Sequence, residues 1–465
     1  MTRSNPPRCT CRPNGSWWSS RAKPWLALAA MFALATVYGL PNPASAQLIQ
    51  PAVGGVLIDA DGVLVNAEVD KMNLLRDLRA KALQEIPADV SRPSKQRKIS
   101  LRFLAAALAD QQQTGGPLPD EIKYLAGMQR IQYVFVYPDR NDIVLVGYGE
   151  GWKVGPTGEV VGVTTGQPVL LLDDLVVAMR TAHDASQGGL SCSIDPTAEG
   201  MRRLQTALKG QKTIGNPDAT AHGMEQALGP QTITVTGVPA TSHFARVMVA
   251  ADYRMKRLSM NMDPAPIAGL PSYLEMMSGG SRAVQTPRLW LSTNYDALLT
   301  DGEGLAWELR GPGVKAMTEE DVFSKTGERK HTGKANPLAK KWADNMTAKY
   351  GELSQHDSIF GQLRNCMDLA VVAALISKEE LGVRASCDLG LLASATGLTL
   401  EQFAAPKQID SKASIVKKGR NWTVSASGGV LIHSWGIADK KEKSDSLAPL
   451  REKALVASGK RWWWD

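Results

Sequence analysis

Hydrophobic and polar positions are patterned most clearly in the middle of the chain, and that stretch predicts the scaffold. Residues 131–137 (Ile-Gln-Tyr-Val-Phe-Val-Tyr) are too rich in β-branched and aromatic side chains to favour a helix, and Pro138-Asp139-Arg140-Asn141 has the composition of a turn. Residues 142–148 read as the returning strand. A second pair follows, 152–154 and 159–165, joined through Gly155-Pro156-Thr157-Gly158. Together these strands predict a four-stranded antiparallel meander. Leu171, Leu175, Val176 and Met179 then share one face of a helix over 168–182, placed to cover the sheet.

Before this centre, two short apolar runs flank Asp59-Ala60-Asp61-Gly62 and predict a hairpin. A helix is expected over 72–83, with Leu74, Leu75, Leu78 and Leu83 as its core positions. Arg92-Pro93-Ser94-Lys95-Gln96-Arg97-Lys98 reads as a basic, solvated linker. Ser100 is the expected cap of a helix over 101–113, which Gly115-Gly116-Pro117 stops, and a short helix over 119–128 leads into the sheet. Beyond the centre, 190–194 reads as a strand and Asp195-Pro196 as the start of a helix to 209. A helix over 217–228 and strands at 232–236, 244–251 and 253–262 continue the strand-helix order of an α/β layer.

Residues 263–290 are broken by Pro264, Pro266, Pro271, Gly279-Gly280 and Pro287, and 305–309 is a short strand. After Asn336-Pro337, the residues Leu338, Trp342, Met346 and Tyr350 recur every four positions, one helical face meant for burial. Within the following 358–381 the wholly apolar block 369–376 is far shorter than the ~20 residues that span a bilayer, so it predicts a central core helix. Gly428-Gly429-Val430-Leu431-Ile432 repeats Gly54-Gly55-Val56-Leu57-Ile58, and 450–455 echoes 78–83 at nearly the same spacing. Trp462-Trp463-Trp464-Asp465 is either a docked tail or an exposed one. The expected class is α/β of mixed α+β layout: a mostly antiparallel central meander with covering helices and a more helical C-terminal third. Its regions are a leader at 1–46, an N-terminal α/β region at 47–262, an irregular strand-containing connection at 263–335, and a helical region at 336–465 ending in a strand-helix unit.

Composition changes this picture in one respect, location. With 43% hydrophobic and 21% charged residues the chain is globular rather than low-complexity. Its formal charge of +7 is misleading, because residues 1–46 hold Arg3, Arg8, Arg12, Arg21 and Lys23 and no acid. Without them 48 bases face 46 acids, a net +2, so the composition gives no reason to expect a nucleic-acid partner. The same leader has a basic start, an apolar run over 25–40, and Ala44-Ser45-Ala46 before Gln47, the layout of a signal peptide cleaved after Ala46. Export to the periplasm or cell envelope is therefore expected, with an envelope component as partner and no transmembrane span in the mature chain. Cys192, Cys366 and Cys387 remain beyond the leader without C-x-x-C spacing; three buried thiols are expected, with one bridge as the alternative.

The sharpest chemical lead is the apolar run into Asp59-Ala60-Asp61-Gly62, which looks like the first motif of haloacid-dehalogenase-type phosphatases. That resemblance implies a nucleophilic Asp59, a proton-handling Asp61 and a Mg2+ ion on the phosphate. Two features oppose it: Asp173-Asp174 precedes Thr236-Gly237, the reverse of the family's motif order, and Asp and Gly are what a tight turn requires. The turn is the expected role, with Mg2+ the expected cofactor only under the phosphatase alternative. Ser414-Ile415-Val416-Lys417 and Lys325-Thr326-Gly327 match two penicillin-binding-protein signatures in the wrong chain order. The six histidines (His183, His222, His243, His331, His356, His433) are scattered and read as structural or surface residues, and Asp173-Asp174 as the acidic start of a helix.

Several stretches carry a wider resemblance: 59–64, Arg92-Pro93-Ser94-Lys95, Tyr124-Leu125-Ala126-Gly127, 133–138, Cys192-Ser193-Ile194-Asp195-Pro196-Thr197, Val235-Thr236-Gly237-Val238-Pro239, Ala251-Asp252-Tyr253-Arg254-Met255-Lys256, Leu363-Arg364-Asn365 and Ala405-Pro406-Lys407-Gln408. On these the chain resembles a family of large exported proteins of planctomycete bacteria, classified as a domain of unknown function. The resemblance implies export and no particular activity. The expected function is accordingly non-catalytic binding or a structural role in the cell envelope.

Overall fold

Strand pairing gives two seven-stranded sheets among the described residues. The computed structural model describes residues 52–53, 55–59, 61–66, 74–210, 216–277, 284–285, 287–324, 326, 329–394, 396–415, 422–424, 427–455 and 461–465. The first sheet runs, edge to edge, Arg329–His331, Gly313–Phe323, Pro287–Asn294, Ser427–Ile432, Leu190–Pro196, Gln231–Thr236 and Gln408–Ile409. Its neighbours are antiparallel except for Pro287–Asn294 beside Ser427–Ile432. The second runs Lys441–Lys443, Leu298–Thr300, Ala306–Glu308, Tyr133–Tyr137, Asp142–Gly149, Ser94–Ser100 and Trp463–Trp464, parallel only at its first pair. The class is α/β, mixed in layout; the second sheet draws strands from residue 94 to the end of the chain, the first from residue 190 onward.

The hairpin Tyr133–Tyr137/Asp142–Gly149 forms as its alternation requires. Val134, Val136, Ile143 and Leu145 face the main core, while Tyr133, Phe135, Tyr137, Val144 and Val146 face a smaller core under the helix Leu447–Ala454. Both faces are covered, which is why both strands are apolar almost throughout. The second predicted pair does not extend this sheet. Trp152–Val154 and Val160–Gly162 form a separate two-stranded ribbon. Glu150 turns the chain away: it is buried, and its carboxylate accepts from the Thr164 and Thr165 amides at 3.1 and 2.9 Å, the Thr165 hydroxyl at 2.7 Å and Gln129 Nε2 at 2.8 Å.

The basic linker is also corrected. Ser94–Ser100 is a strand held between Asp142–Gly149 and Trp463–Trp464, with Arg97 fully buried and Lys98 nearly so. The tryptophan tail is thus a docked edge strand. Ser100 caps the next helix, Leu101–Thr114, by accepting from the Phe103 amide at 3.0 Å. Asp195-Pro196, expected to open a helix, are the last residues of a strand; Thr197 is the cap, its hydroxyl accepting from the Gly200 amide at 3.0 Å.

Ser358–Lys378 is buried without interruption from Leu369 to Ile376 and packed against Leu172–Thr181, His243–Ser259, Pro337–His356 and Ser434–Ala438. Its length and composition alone would allow it to cross a membrane; here its apolar surface is covered by those four helices. His243–Ser259 replaces the two strands expected at 244–251 and 253–262. It lies on the first sheet against Leu190–Pro196 and Ser427–Ile432, buried without a break from Phe244 to Asp252. Asp252 and Lys256, four residues apart, meet at 2.7 Å inside it, a spacing only a helix brings together. The two Gly-Gly-Val-Leu-Ile copies occupy different environments: Val56–Ile58 is in a two-stranded ribbon with Leu64–Asn66, whereas Ser427–Ile432 is a central strand. Cys192, Cys366 and Cys387 are free and buried. The leader 1–46 and parts of both penicillin-binding-protein matches lie outside the described residues.

Candidate functional site

Two helix starts meet beside a cleft. Leu172–Thr181 carries Asp173 and Asp174 in its first turn, where negative charge suits the helix dipole. His243–Ser259 starts after Ser242, whose hydroxyl accepts from the Ala245 amide at 3.1 Å, and so puts His243 at its first position. The imidazole Nδ1 lies 3.0 Å from Asp174 Oδ2 and 3.1 Å from Oδ1. Only 14% of the histidine side chain and 6% of the aspartate side chain remain exposed. Cys366 of the core helix approaches the same carboxylate, Sγ to Oδ2 at 3.9 Å. Burial disfavours the imidazolium, but the Asp174 carboxylate, with Asp173 behind it, outweighs burial and raises the His243 pKa.

The cleft that His243 lines has a volume of about 350 Å3. Its walls combine apolar side chains, including Leu171 and Phe403, with the charged Arg79, Asp120, Lys123 and Glu159, and Tyr124, Gln362 and Glu401 also converge on it. Burial, then the charges of Asp120 and Glu401, push the Tyr124 hydroxyl up to about 12, so it stays a neutral donor at physiological pH. Gln362, 9% exposed on the core helix, has an Nε2 with no hydrogen-bond partner among the described residues. A buried amide donor without an acceptor costs roughly 1–3 kcal/mol, and an apolar cleft with a few convergent polar groups is the usual form of a small-molecule site.

Because the folded pKa of His243 is raised above its ordinary 6.5, the ion pair with Asp174 contributes fully below that value and is lost as pH rises through the folded pKa. Replacing Asp174 by asparagine leaves burial as the dominant influence. An NMR titration of the imidazole should then give an apparent pKa above 6.5 in the wild type and below it in Asp174→Asn. Equal values in both proteins would remove Asp174 as the controlling partner.

Asp59 and Asp61, the residues of the phosphatase alternative, are elsewhere and exposed. Asp59 Oδ1 accepts from the Asp61 and Val63 amides at 2.9 and 2.8 Å, and Gly62 follows at φ +85°. A Cβ on Gly62 would meet the Ala405 carbonyl oxygen at 2.7 Å, because the turn is pressed against 405–408, where Lys407 donates to the Gly62 carbonyl at 2.8 Å. The carboxylate shapes the backbone at the tip of a two-stranded ribbon, away from the central strands. Ala60 lies outside the described residues, among which no group of three or more His, Cys, Asp and Glu side chains is arranged around a metal position.

His243 belongs to a run of two strands and three longer helices that begins inside Leu190–Pro196 and ends at the short helix Tyr273–Met276. Residues 192–273 match the model of a protein family of unknown function, DUF1598. No curated protein and no solved structure matches the chain. The DUF1598 segment brings His243 to the cleft, but Asp174, Gln362, Glu401 and Phe403 come from outside it, so the cleft is completed by the rest of the chain. Reasoning from sequence placed Asp174 correctly at a helix start and missed His243, because the helix it opens read as strands. Thr241-Ser242-His243, a capping residue directly before the histidine, was the available signal.

Proposed function

We propose that this protein is exported and acts by binding, without catalysis, a small ligand or a protruding group of a cell-envelope component in the His243 cleft. The leader and the resemblance to exported proteins support the location. The observation that carries the binding role is Gln362, whose amide donor is buried and unpartnered at the wall of that cleft. His243, its Nδ1 held by Asp174, presents the other side of its ring as a second polar contact, so the site suits an apolar body bearing hydrogen-bonding groups.

Gln362→Leu separates a ligand contact from a structural one. Losing a donor to a ligand weakens binding by up to roughly tenfold, whereas removing an unpaired buried amide leaves the free protein as stable or more so. In sedimentation with isolated envelopes, the wild type is expected in the pellet, as a chain beginning at Gln47, and Gln362→Leu in the supernatant with an undiminished Tm. Wild-type protein recovered only in the soluble fraction, or equal pelleting of both, would overturn the proposal. Release of phosphate from p-nitrophenyl phosphate in Mg2+, abolished by Asp59→Asn, would establish the phosphatase alternative in its place.

A further inference from the structure

A second cleft, of about 640 Å3 and sharing no lining residue with the first, is lined from the second sheet by Tyr137, Asp142, Val144 and Trp464, and three further lining residues are arginines: Arg102, Arg140 and Arg461. Arg461 is paired with Asp89, and Arg140 has Asp139 at 3.8 Å. Arg102 differs from both. Its Nε is buried with no hydrogen-bond partner among the described residues, and its guanidinium lies over the Phe103 ring at 4.3 Å. Asp142 is nearby: it accepts the Arg102 backbone amide at 3.2 Å, and burial raises its pKa against the opposing charge of Arg102.

Two other large side chains of the cleft, Tyr137 and Trp464, offer ring surface. The Tyr137 hydroxyl donates to the Arg451 carbonyl at 2.6 Å and Trp464 Nε1 to the Ala454 carbonyl at 3.3 Å, so the polar end of each ring is already satisfied by backbone. Asp139, Asn141 and Asp142 also line the cleft, and among these groups Arg102 presents a planar, charged fork beside aromatic faces. A guanidinium is matched geometrically by a carboxylate, which it binds with two parallel hydrogen bonds, and aromatic faces are matched by a ring with an apolar side.

We propose that this cleft binds a carboxylate carried on a six-membered ring, with Arg102 gripping the carboxylate and Trp464 and Tyr137 flanking the ring. Two sources share that chemistry, a sugar acid and an aromatic acid. Ligand-observed NMR titration of the full mature chain with glucuronate, benzoate, glucose and inorganic phosphate distinguishes them. Either carboxylate is expected to bind at least tenfold more tightly than glucose and phosphate; the tighter of the two names the source. Arg102→Gln should weaken that binding about tenfold, and Arg102→Lys, which keeps the charge and loses the fork, should weaken it severalfold. Both variants are checked against the wild-type circular dichroism and Tm, since Arg102 also lies in the first turn of a helix. Phosphate or glucose binding as well as the carboxylates, no binding by either carboxylate, or unchanged affinity in folded Arg102→Gln and Arg102→Lys would each overturn the assignment.

Discussion

Arg97→Met should be among the most damaging single substitutions in the protein, lowering stability by about 3–5 kcal/mol. Arg97 is fully buried, and every part of its guanidinium is used. Nε and Nη2 donate to the Asp465 carboxylate at 2.8 and 3.1 Å, Nη1 to the Val90 and Ala126 carbonyls at 2.9 and 2.6 Å, and Nη2 to the Arg92 carbonyl at 2.8 Å. The Trp463 ring lies 5.1 Å from its central carbon. Methionine fills much of the space but leaves three backbone carbonyls without their donor, each costing roughly 1–3 kcal/mol where buried, and removes the anchor of the Trp463–Trp464 strand. Urea denaturation should show a lower midpoint with an unchanged slope. Asp465→Asn is a graded control: its side chain is 37% exposed, so the lost charge is partly replaced by solvent and the effect should stay near 1 kcal/mol or below. A midpoint for Arg97→Met within experimental error of wild type would show that the buried guanidinium does not hold the tail.

The same residue shows where a sequence stops being informative. Arg-Pro-Ser-Lys-Gln-Arg-Lys has no apolar alternation, and nothing local makes it a strand. It becomes one because Asp142–Gly149 and Trp463–Trp464 hydrogen-bond to it from either side, the second partner being far away in the chain. His243–Ser259 failed for a related reason. Its Val247 and Val249 favour strands locally, and burial on nearly all sides erases the polar stripe that would have marked a helix. Elements with local punctuation were legible. Asn336 caps Pro337–His356 with proline at the first position, and the four-residue recurrence of Trp342, Met346 and Tyr350 is its buried face. Asn216 does the same for Pro217–Leu228.

Legibility of the site followed the same division. Asp59 and Asp61 were conspicuous as a motif, and the Asp59 carboxylate accepts two backbone amides of its own turn, next to the glycine the turn needs. His243, Asp174 and Gln362 come from three helices far apart in the chain, and no local pattern links them. Their proximity is a product of how the core helix is wrapped, which no spacing along the chain encodes. Arg102 was equally invisible, since its significance lies in what it does not contact.

Asp368→Ala should match Arg97→Met in severity, at about 3–5 kcal/mol, because it strips the partner from two groups that tie both sheets to the core helix. Asp368 is fully buried on Ser358–Lys378. Its carboxylate accepts from Arg130 Nε and Nη2, each at 2.8 Å, and from the Tyr295 hydroxyl at 2.6 Å. Arg130 leads into Tyr133–Tyr137 of the second sheet; Tyr295 directly follows Pro287–Asn294 of the first and precedes Leu298–Thr300 of the second. One carboxylate therefore fixes the point where the chain passes from one sheet to the other. Tyr295 responds as this arrangement requires: burial, then the negative charge of Asp368, raises its hydroxyl well above the ordinary tyrosine value, so it remains a donor at any pH at which the protein is handled. Tyr295→Phe removes one donor and leaves the bidentate Arg130 pair intact, so it should cost only about 1–2 kcal/mol. Arg130 makes the sharper comparison. Its side chain is 31% exposed, but removing it leaves Asp368 charged and buried with a single tyrosine, so Arg130→Met should approach the effect of Asp368→Ala despite that exposure. In a double-mutant cycle, Arg130→Met with Asp368→Ala should cost little more than either alone. Additive losses in that cycle would mean that the two side chains stabilise the crossover independently, and the node as described would not exist.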